Sequence, residues 1–354
     1  MSSRATSPLI LSCPVPLGSG DRVQLGHGSG GKLSAALLRE RFLPHLDNPA
    51  LSQLGDAAVV PMHGGEIAMS TDTFVVKPLE FPGGNIGSLS IHGTLNDLAM
   101  MGARPRYLSA GFVLEEGLPF DLLDRIVRSM AAAAGAAGVP LVTGDTKVVE
   151  RGKADGLFIN TTGVGIVDPR FRPGPARARA GDAVIVSGPL GRHGVAIMSA
   201  REGIAFETAI ESDAATLFPL VELLRSTVGA DVHTLRDPTR GGLASALNEI
   251  AAASGIGIEL DETTLPVPEA VAAVCEMLGL DPLYVANEGV LVAFVPEELA
   301  GVAVDSLRSH PLGAGARQVG RATAGHSGLV VLRTPIGGTR IVDLLPGDQL
   351  PRIC

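Results

Sequence analysis

The sequence predicts an α+β protein built from two mixed α/β domains. Three observations point there. The 354 residues are about two domains' worth at roughly 150 residues each. Short β-rich runs alternate with helical patterns through both halves, with no short-period repeat. A Pro- and Arg-rich break, DPRFRPGPARARAGD at residues 168–182, separates the halves. Hydrophobic residues make up 45% of the chain, enough for two cores, and the 45 glycines and 25 prolines stay under the low-complexity range of roughly 25–30%.

The elements follow in order. Residues 1–22 read as a polar, mobile leader. The first domain, 23–168, opens with a glycine loop that feeds a helix from near Ser34, with Leu37, Leu38 and Phe42 on one side. Two strands, 56–62 and 66–74, join through His63-Gly64-Gly65, a hairpin signal. A helix is expected over 88–101 and a strand over 106–114. A second helix, 120–137, puts Leu122, Leu123, Ile126, Val127 and Met130 on one face and ends near Gly138. Strands follow at 139–148 and 156–167. In the second domain, 169–334, strands are expected at 182–190, 256–260, 289–295, 316–322 and 328–332. Helices are expected at 191–201, 214–227, 241–254, 268–278 and 296–309. The tail, 335–354, is punctuated by Gly and Pro and reads as an extended, flexible arm carrying Cys354.

Composition narrows the function. Net charge is −9, aromatics are 3% and Trp is absent, so neither the basic stripe nor the stacking rings of a nucleic-acid binder are present. The only apolar run near the start is Leu9–Leu11, too short for a signal peptide, and no window suits a membrane span. Cys13, Cys275 and Cys354 make neither a disulfide framework nor a CxxC metal site. A cytoplasmic protein is expected.

Several segments carry candidate chemistry. GHGSGGKLS, residues 26–34, is neither a Rossmann fingerprint, whose strand would be only Val23–Leu25, nor a P-loop, because Leu33 stands where Ser or Thr should hold Mg²⁺. Its glycines could let backbone N–H groups approach a phosphate, with Lys32 adding charge; otherwise it is a turn before a helix. Asp56, Asp72, Asp97 and Asp145 lie at element ends among small or hydroxyl residues. Brought together, such carboxylates demand a cation, and hard oxygen ligands select Mg²⁺ and with it phosphate. Each could instead cap a helix or close a turn. Lys147, two residues after Asp145, is one of four lysines in an arginine-preferring chain. RDPTRGGLASALNEIA, from residue 236, opens a helix with Asp237, Thr239 and paired glycines, an anion-friendly start. Glu288, just before an apolar strand, is either solvated or a positioned base. Cys354 is the last residue, on an arm from Ile336 that would span about 25 Å as a coil and roughly 60 Å extended. That reach lets one sulfur visit two sites. Cys275 falls in an apolar helix and reads as packing.

Together GHGSGGK, STDTFVVKPLEFPGGNIGSLSIHGTLNDLAMMGARP, VTGDTKVV, RDPTRGGLA, ANEG and the terminal PRIC resemble the HypE hydrogenase-maturation family over about residues 23–354. The resemblance implies domains of the aminoimidazole ribonucleotide synthetase type and a homodimer whose N-terminal sheets pair in a β-barrel. It implies ATP and Mg²⁺ as cofactors, with Gly28, Gly30, Gly31 and Lys32 at the nucleotide and Asp56, Asp72, Asp97 and Asp145 at nucleotide and metal. It implies dehydration of a carbamoyl group on Cys354 to a thiocyanate, with Glu288 and Lys147, and less centrally His92, near the reacting nitrogen. The implied partners are a HypF-like carbamoyltransferase, which loads the cysteine, and a HypC/HypD-like iron scaffold, which receives cyanide. The rival readings are a superfamily kinase or synthetase acting on a free small molecule, and a non-catalytic carrier. A selenophosphate synthetase is disfavoured because the loop holds His27 and no cysteine.

Overall fold

The computed structural model describes residues 31–46, 48–49, 51–203, 210–345 and 352–354; the leader and Gly28 and Gly30 of the glycine loop lie outside the described residues. The chain enters through α1 (Lys32–Leu37), a π-helical turn and α2 (Leu43–Leu46).

The first sheet grows from the hairpin β1 (Ala58–Met62) and β2 (Gly65–Phe74), where the turn places Gly64 at φ 88°. A short hairpin, β3 (Glu80–Phe81) and β4 (Gly84–Asn85), leads into α3 (Ile86–Met100). Then come β5 (Ala103–Glu115), α4 (Phe120–Ala137), β6 (Leu141–Val149) and β7 (Leu157–Val167). The strand order is β1-β2-β7-β5-β6. Only β5 and β6 pair in parallel, with α4 as the crossover between them. The sheet is open in one chain, with β1 and β6 as its edges. Gly138 ends α4 in the left-handed conformation, as the sequence predicts. Helix α3 packs on β2, β7 and β5. It is buried on nearly every side, so its few polar residues face partners rather than water.

The second sheet has the order β14-β13-β10-β12-β8-β11-β9. Its elements in chain order are β8 (Asp182–Val186), α5 (Arg192–Glu202), α6 (Phe218–Thr227), β9 (Thr234–Arg236), α7 (Gly242–Ser254), β10 (Gly257–Asp261) and α8 (Glu269–Leu278). They continue as β11 (Val292–Pro296), α9 (Ala300–Arg308), β12 (Arg317–Thr323), β13 (Val330–Arg333) and β14 (Thr339–Ile341). The central strand β8 is buried throughout. Leu243, Leu247 and Ile250 of α7 cover one face against Val184, Val186 and Phe294. Leu220 and Leu224 of α6 and Leu307 of α9 cover the other against Ile185 and Ala293.

Two expectations are corrected here. Helix α6 starts at Phe218 rather than Ala214, because the backbone of 214–217 bonds to other elements and Pro219 is placed for a helix start. Residues 339–341 of the expected arm are an edge strand on β13. A third apolar cluster joins the domains, from Leu89 and Ile91 of α3 and Ile126 of α4 to Val195 of α5, Val271 and Val274 of α8, and Ile353.

Asn85 caps α3: its Oδ1 accepts the N–H groups of Gly87 and Ser88, and the Ser88 hydroxyl side chain completes a capping box. Replacing Asn85 by Ala should cost about 1–2 kcal/mol of stability in chemical denaturation, and an unchanged midpoint would refute that role.

Candidate active site

The first domain sends Asp56, just before β1, Asp72 of β2 and Asp97 of α3 toward the second domain, which supplies Asp237 after β9. Carboxylate oxygens of Asp56, Asp97 and Asp237 lie within 4.8 Å of one another. Asp56 Oδ1 pairs with Arg236 Nη1 at 2.8 Å, and Ser70 Oγ donates to Asp97 Oδ2 at 2.5 Å. The Asp72 carboxyl lies close enough to Asp97 for the two to interact. Burial pushes Asp56, Asp72 and Asp97 above the usual carboxylate range, and neighbouring carboxylates add to it at Asp56 and Asp97. Asp237 is pushed up to about 6, mainly by burial. Its Oδ2 has no hydrogen-bond partner. Hard oxygen donors at this spacing, one of them unpartnered, fit Mg²⁺.

Beside this cluster lies the end of the chain. Residues 352–354 run antiparallel to 75–77: Val75 N–H donates to Cys354 O and Lys77 N–H to Arg352 O, both at 3.2 Å. Ile353 is buried in the interdomain cluster, and Arg352 pairs with Asp155. Arg240, on the turn before α7, is the cation coupled to this tip. Its pKa is raised, first by Cys354, and, against burial, by Asp72, Glu288 and Asp97. Glu288 is buried on the loop before β11 and its Oε1 has no partner. Burial first, then Asp237, Asp213 and Asp72, hold its carboxyl well above the usual range. Asp213 Oδ1 accepts the Glu288 N–H at 3.1 Å, and Asp213 itself is pushed up to about 6 by burial.

The structure therefore draws Asp56, Asp72, Asp97, Glu288 and Cys354 around one place. It does not draw Asp145 or Lys147 there within one chain. Both sit on the edge strand β6, about 70% exposed, and bond to each other at 2.7 Å. Lys32 bonds to Asp343 at 2.5 Å, and its N–H to Leu345 O, tying α1 to the segment after β14. Gly31 caps α1. His92 faces Thr216, its Nδ1 2.8 Å from the hydroxyl, and burial depresses it to about 4. Arg236, Arg240 and Asp213 were not singled out by sequence reasoning; the only available signal was their place beside Asp237 and Ser212.

The N-terminal and C-terminal domain families of AIR synthase related proteins match residues 54–167 and 179–332. Carbamoyl dehydratase HypE of Cupriavidus necator is 54% identical over 342 residues, covering 96% of this chain and 97% of that one. The chain belongs to the HypE family of carbamoyl dehydratases. A crystal structure of hydrogenase maturation protein HypE in complex with ATP is 51% identical, with TM-score 0.79 over 93% of this chain and 98% of that one. A structure of a HypE–HypF complex is 46% identical, with TM-score 0.83 over 88% and 100% of the respective chains. Among the described residues of this HypE-family chain, no helix is long and apolar enough to cross a membrane.

A cation must displace protons from carboxyls that hold them up to about pH 6, as Asp237 does. Mg²⁺ binding to the nucleotide-free protein should therefore strengthen about tenfold or more from pH 5 to pH 7, with proton release in calorimetry. An affinity flat across that range would refute the raised carboxyls of this cluster.

Proposed function

We propose that this chain uses ATP to dehydrate a carbamoyl group held as a thiocarboxamide on Cys354, giving a thiocyanate whose cyanide passes to iron for a [NiFe]-hydrogenase. The observation that carries this reading is the terminal cysteine docked beside Arg240 and Glu288, next to a carboxylate cluster fit for a metal–phosphate group. ATP supplies a phosphoryl group that makes the carboxamide oxygen a competent leaving group, and Mg²⁺ on Asp56, Asp97 and Asp237 would neutralise the triphosphate. Asp72 stands at the same cluster.

The chain's own residues do the rest. The nitrogen must lose both protons to become a nitrile. In this reading Glu288, whose carboxylate has a high proton affinity once ionised, takes one of them, and the departing phosphate carries off the other. Arg240, coupled to Cys354, Asp72 and Glu288, supplies the positive charge for the oxygen as it becomes anionic. Docking of Ile353 into the core keeps water from the activated group.

Two copies associating along β6 would complete the arrangement. That edge strand exposes Leu141, Val142 and Val148 beside Asp145 and Lys147, and pairing would cover them. The β-barrel expected of a homodimer, and the roles of Asp145 and Lys147, belong to that association. Gly28, Gly30, Gly31 and Lys32 are proposed for the nucleotide on the family pattern. The proposed partners are a HypF-type carbamoyltransferase and a HypC/HypD-type iron scaffold, in the cytoplasm. His92 is the weakest of the proposed site residues, since its imidazole is occupied by Thr216.

Cys354→Ala should bind nucleotide normally yet form no thiocyanate; intact-mass analysis after carbamoylation and ATP should show the wild-type adduct losing one water. A carbamoyl mass that persists in the wild type would sink the proposal. Glu288→Gln should load carbamoyl and bind ATP but dehydrate at least about a hundredfold more slowly, and a normal single-turnover rate would remove Glu288 as the base.

A further inference from the structure

The main-chain oxygens of all three tip residues are held, two carbonyls and the terminal carboxylate. Arg352 O accepts from Lys77 N–H and from Arg201 Nη2 at 2.7 Å, and Cys354 O accepts from Val75 N–H. Ile353 O accepts from His193 Nε2 at 2.8 Å. The last is unlike the others, because His193 is fully buried and its other nitrogen is also engaged. A carbonyl can only accept, so Nε2 carries the hydrogen. Burial depresses His193 to about 4, so the ring is neutral and Nδ1 is an acceptor. Ser212 Oγ, 2.8 Å away, must therefore donate to Nδ1, while its own lone pair accepts the Ala214 N–H at 3.1 Å. The ring stands edge-on to Phe81 at 5.7 Å, which restricts its rotation.

The relay starts where Glu288 is also held. Ser212 leads to the tip through His193; its neighbour Asp213 accepts the Glu288 backbone N–H. One step further on, Ala215 N–H donates to Glu288 O. Gly289 lets this segment approach, since a Cβ there would lie 1.7 Å from Asp213 O. Sulfur and carboxylate are thus referenced to the same few backbone atoms.

We propose that His193, oriented by Ser212, is a positioning residue: by fixing the Ile353 carbonyl it sets where the Cys354 sulfur sits relative to Glu288. The catalytic part of this role rests on Cys354 being the reacting sulfur; placement of the tip does not.

The test uses the full-length protein. Iodoacetamide labelling of Cys354 is followed by peptide mass analysis, with the buried Cys275 as internal control for unfolding. Ser212→Ala and His193→Phe should raise the Cys354 rate about tenfold with Cys275 still protected. His193→Gln, which keeps an N–H donor near Nε2, should restore much of the protection. In parallel, Ser212→Ala should lower kcat for thiocyanate formation with KM for ATP unchanged. If His193→Phe unfolds, shown by a reactive Cys275, Ser212→Ala decides alone. Wild-type Cys354 labelling in Ser212→Ala, or faster labelling with undiminished kcat, would overturn the positioning role. Failure of the wild type itself to form thiocyanate, with the labelling order intact, would instead overturn the dehydratase reading.

Discussion

Five carboxyl groups at one junction, two buried and three half-buried, are the constraint on which this structure depends. Asp56, Asp72, Asp97, Asp237 and Glu288 cannot all be anions away from water, since each unbalanced charge would cost several kcal/mol. Arg236 and Arg240 balance part of that charge. Burial opposes ionised Arg236, yet Asp56 and Glu249 outweigh the opposition. The remainder is met by protons. The constraint also orders the domains. Asp56, Asp72 and Asp97 come from the first, Asp237 and Glu288 from the second, so the site exists only when the two are docked.

The docking is achieved with unusually direct polar bonds. Asn96, one residue before Asp97, donates through Nδ2 to Ala215 O at 3.0 Å and accepts the Leu217 N–H at 2.7 Å through Oδ1. A buried amide with both ends satisfied fixes the roll of α3, and with it the direction of the Asp97 carboxylate. The segment 212–217 thus bonds to α3, to the Glu288 loop and, through His193, to the chain terminus. It forgoes helix to do so, which is why a helical pattern beginning at Ala214 yields regular structure only from Phe218.

Legibility in the sequence followed the range of the interactions. The 120–137 helix and the β1–β2 hairpin were readable because period, turn and cap lie within a few residues of one another. β3, β4 and β9 are two or three residues long and carry no period to read. Asp56, Asp72 and Asp97 stood out by their small neighbours, and Cys354 by its position. Arg240 and His193 did not, because an arginine after Pro-Thr and a histidine inside a helix gain meaning only from groups in other elements, the chain terminus above all. Asp145 and Lys147 show the opposite failure. Their spacing makes them partners, but it cannot say that their strand lies at the sheet's edge.

The isoleucine that precedes the last residue has its side chain in the joint between domains, and its half-buried neighbour Cys354 packs against the same cluster within the reach of Arg240. Withdrawing that one aliphatic group forfeits about 1.5–3 kcal/mol, roughly a ten- to hundredfold bias toward the retracted position. A bias of that size makes retraction the resting habit without making it permanent. Any recipient surface offering the departing isoleucine a dry pocket of its own can draw the terminus out, so the hand-over is governed by which host shelters a single hydrocarbon better.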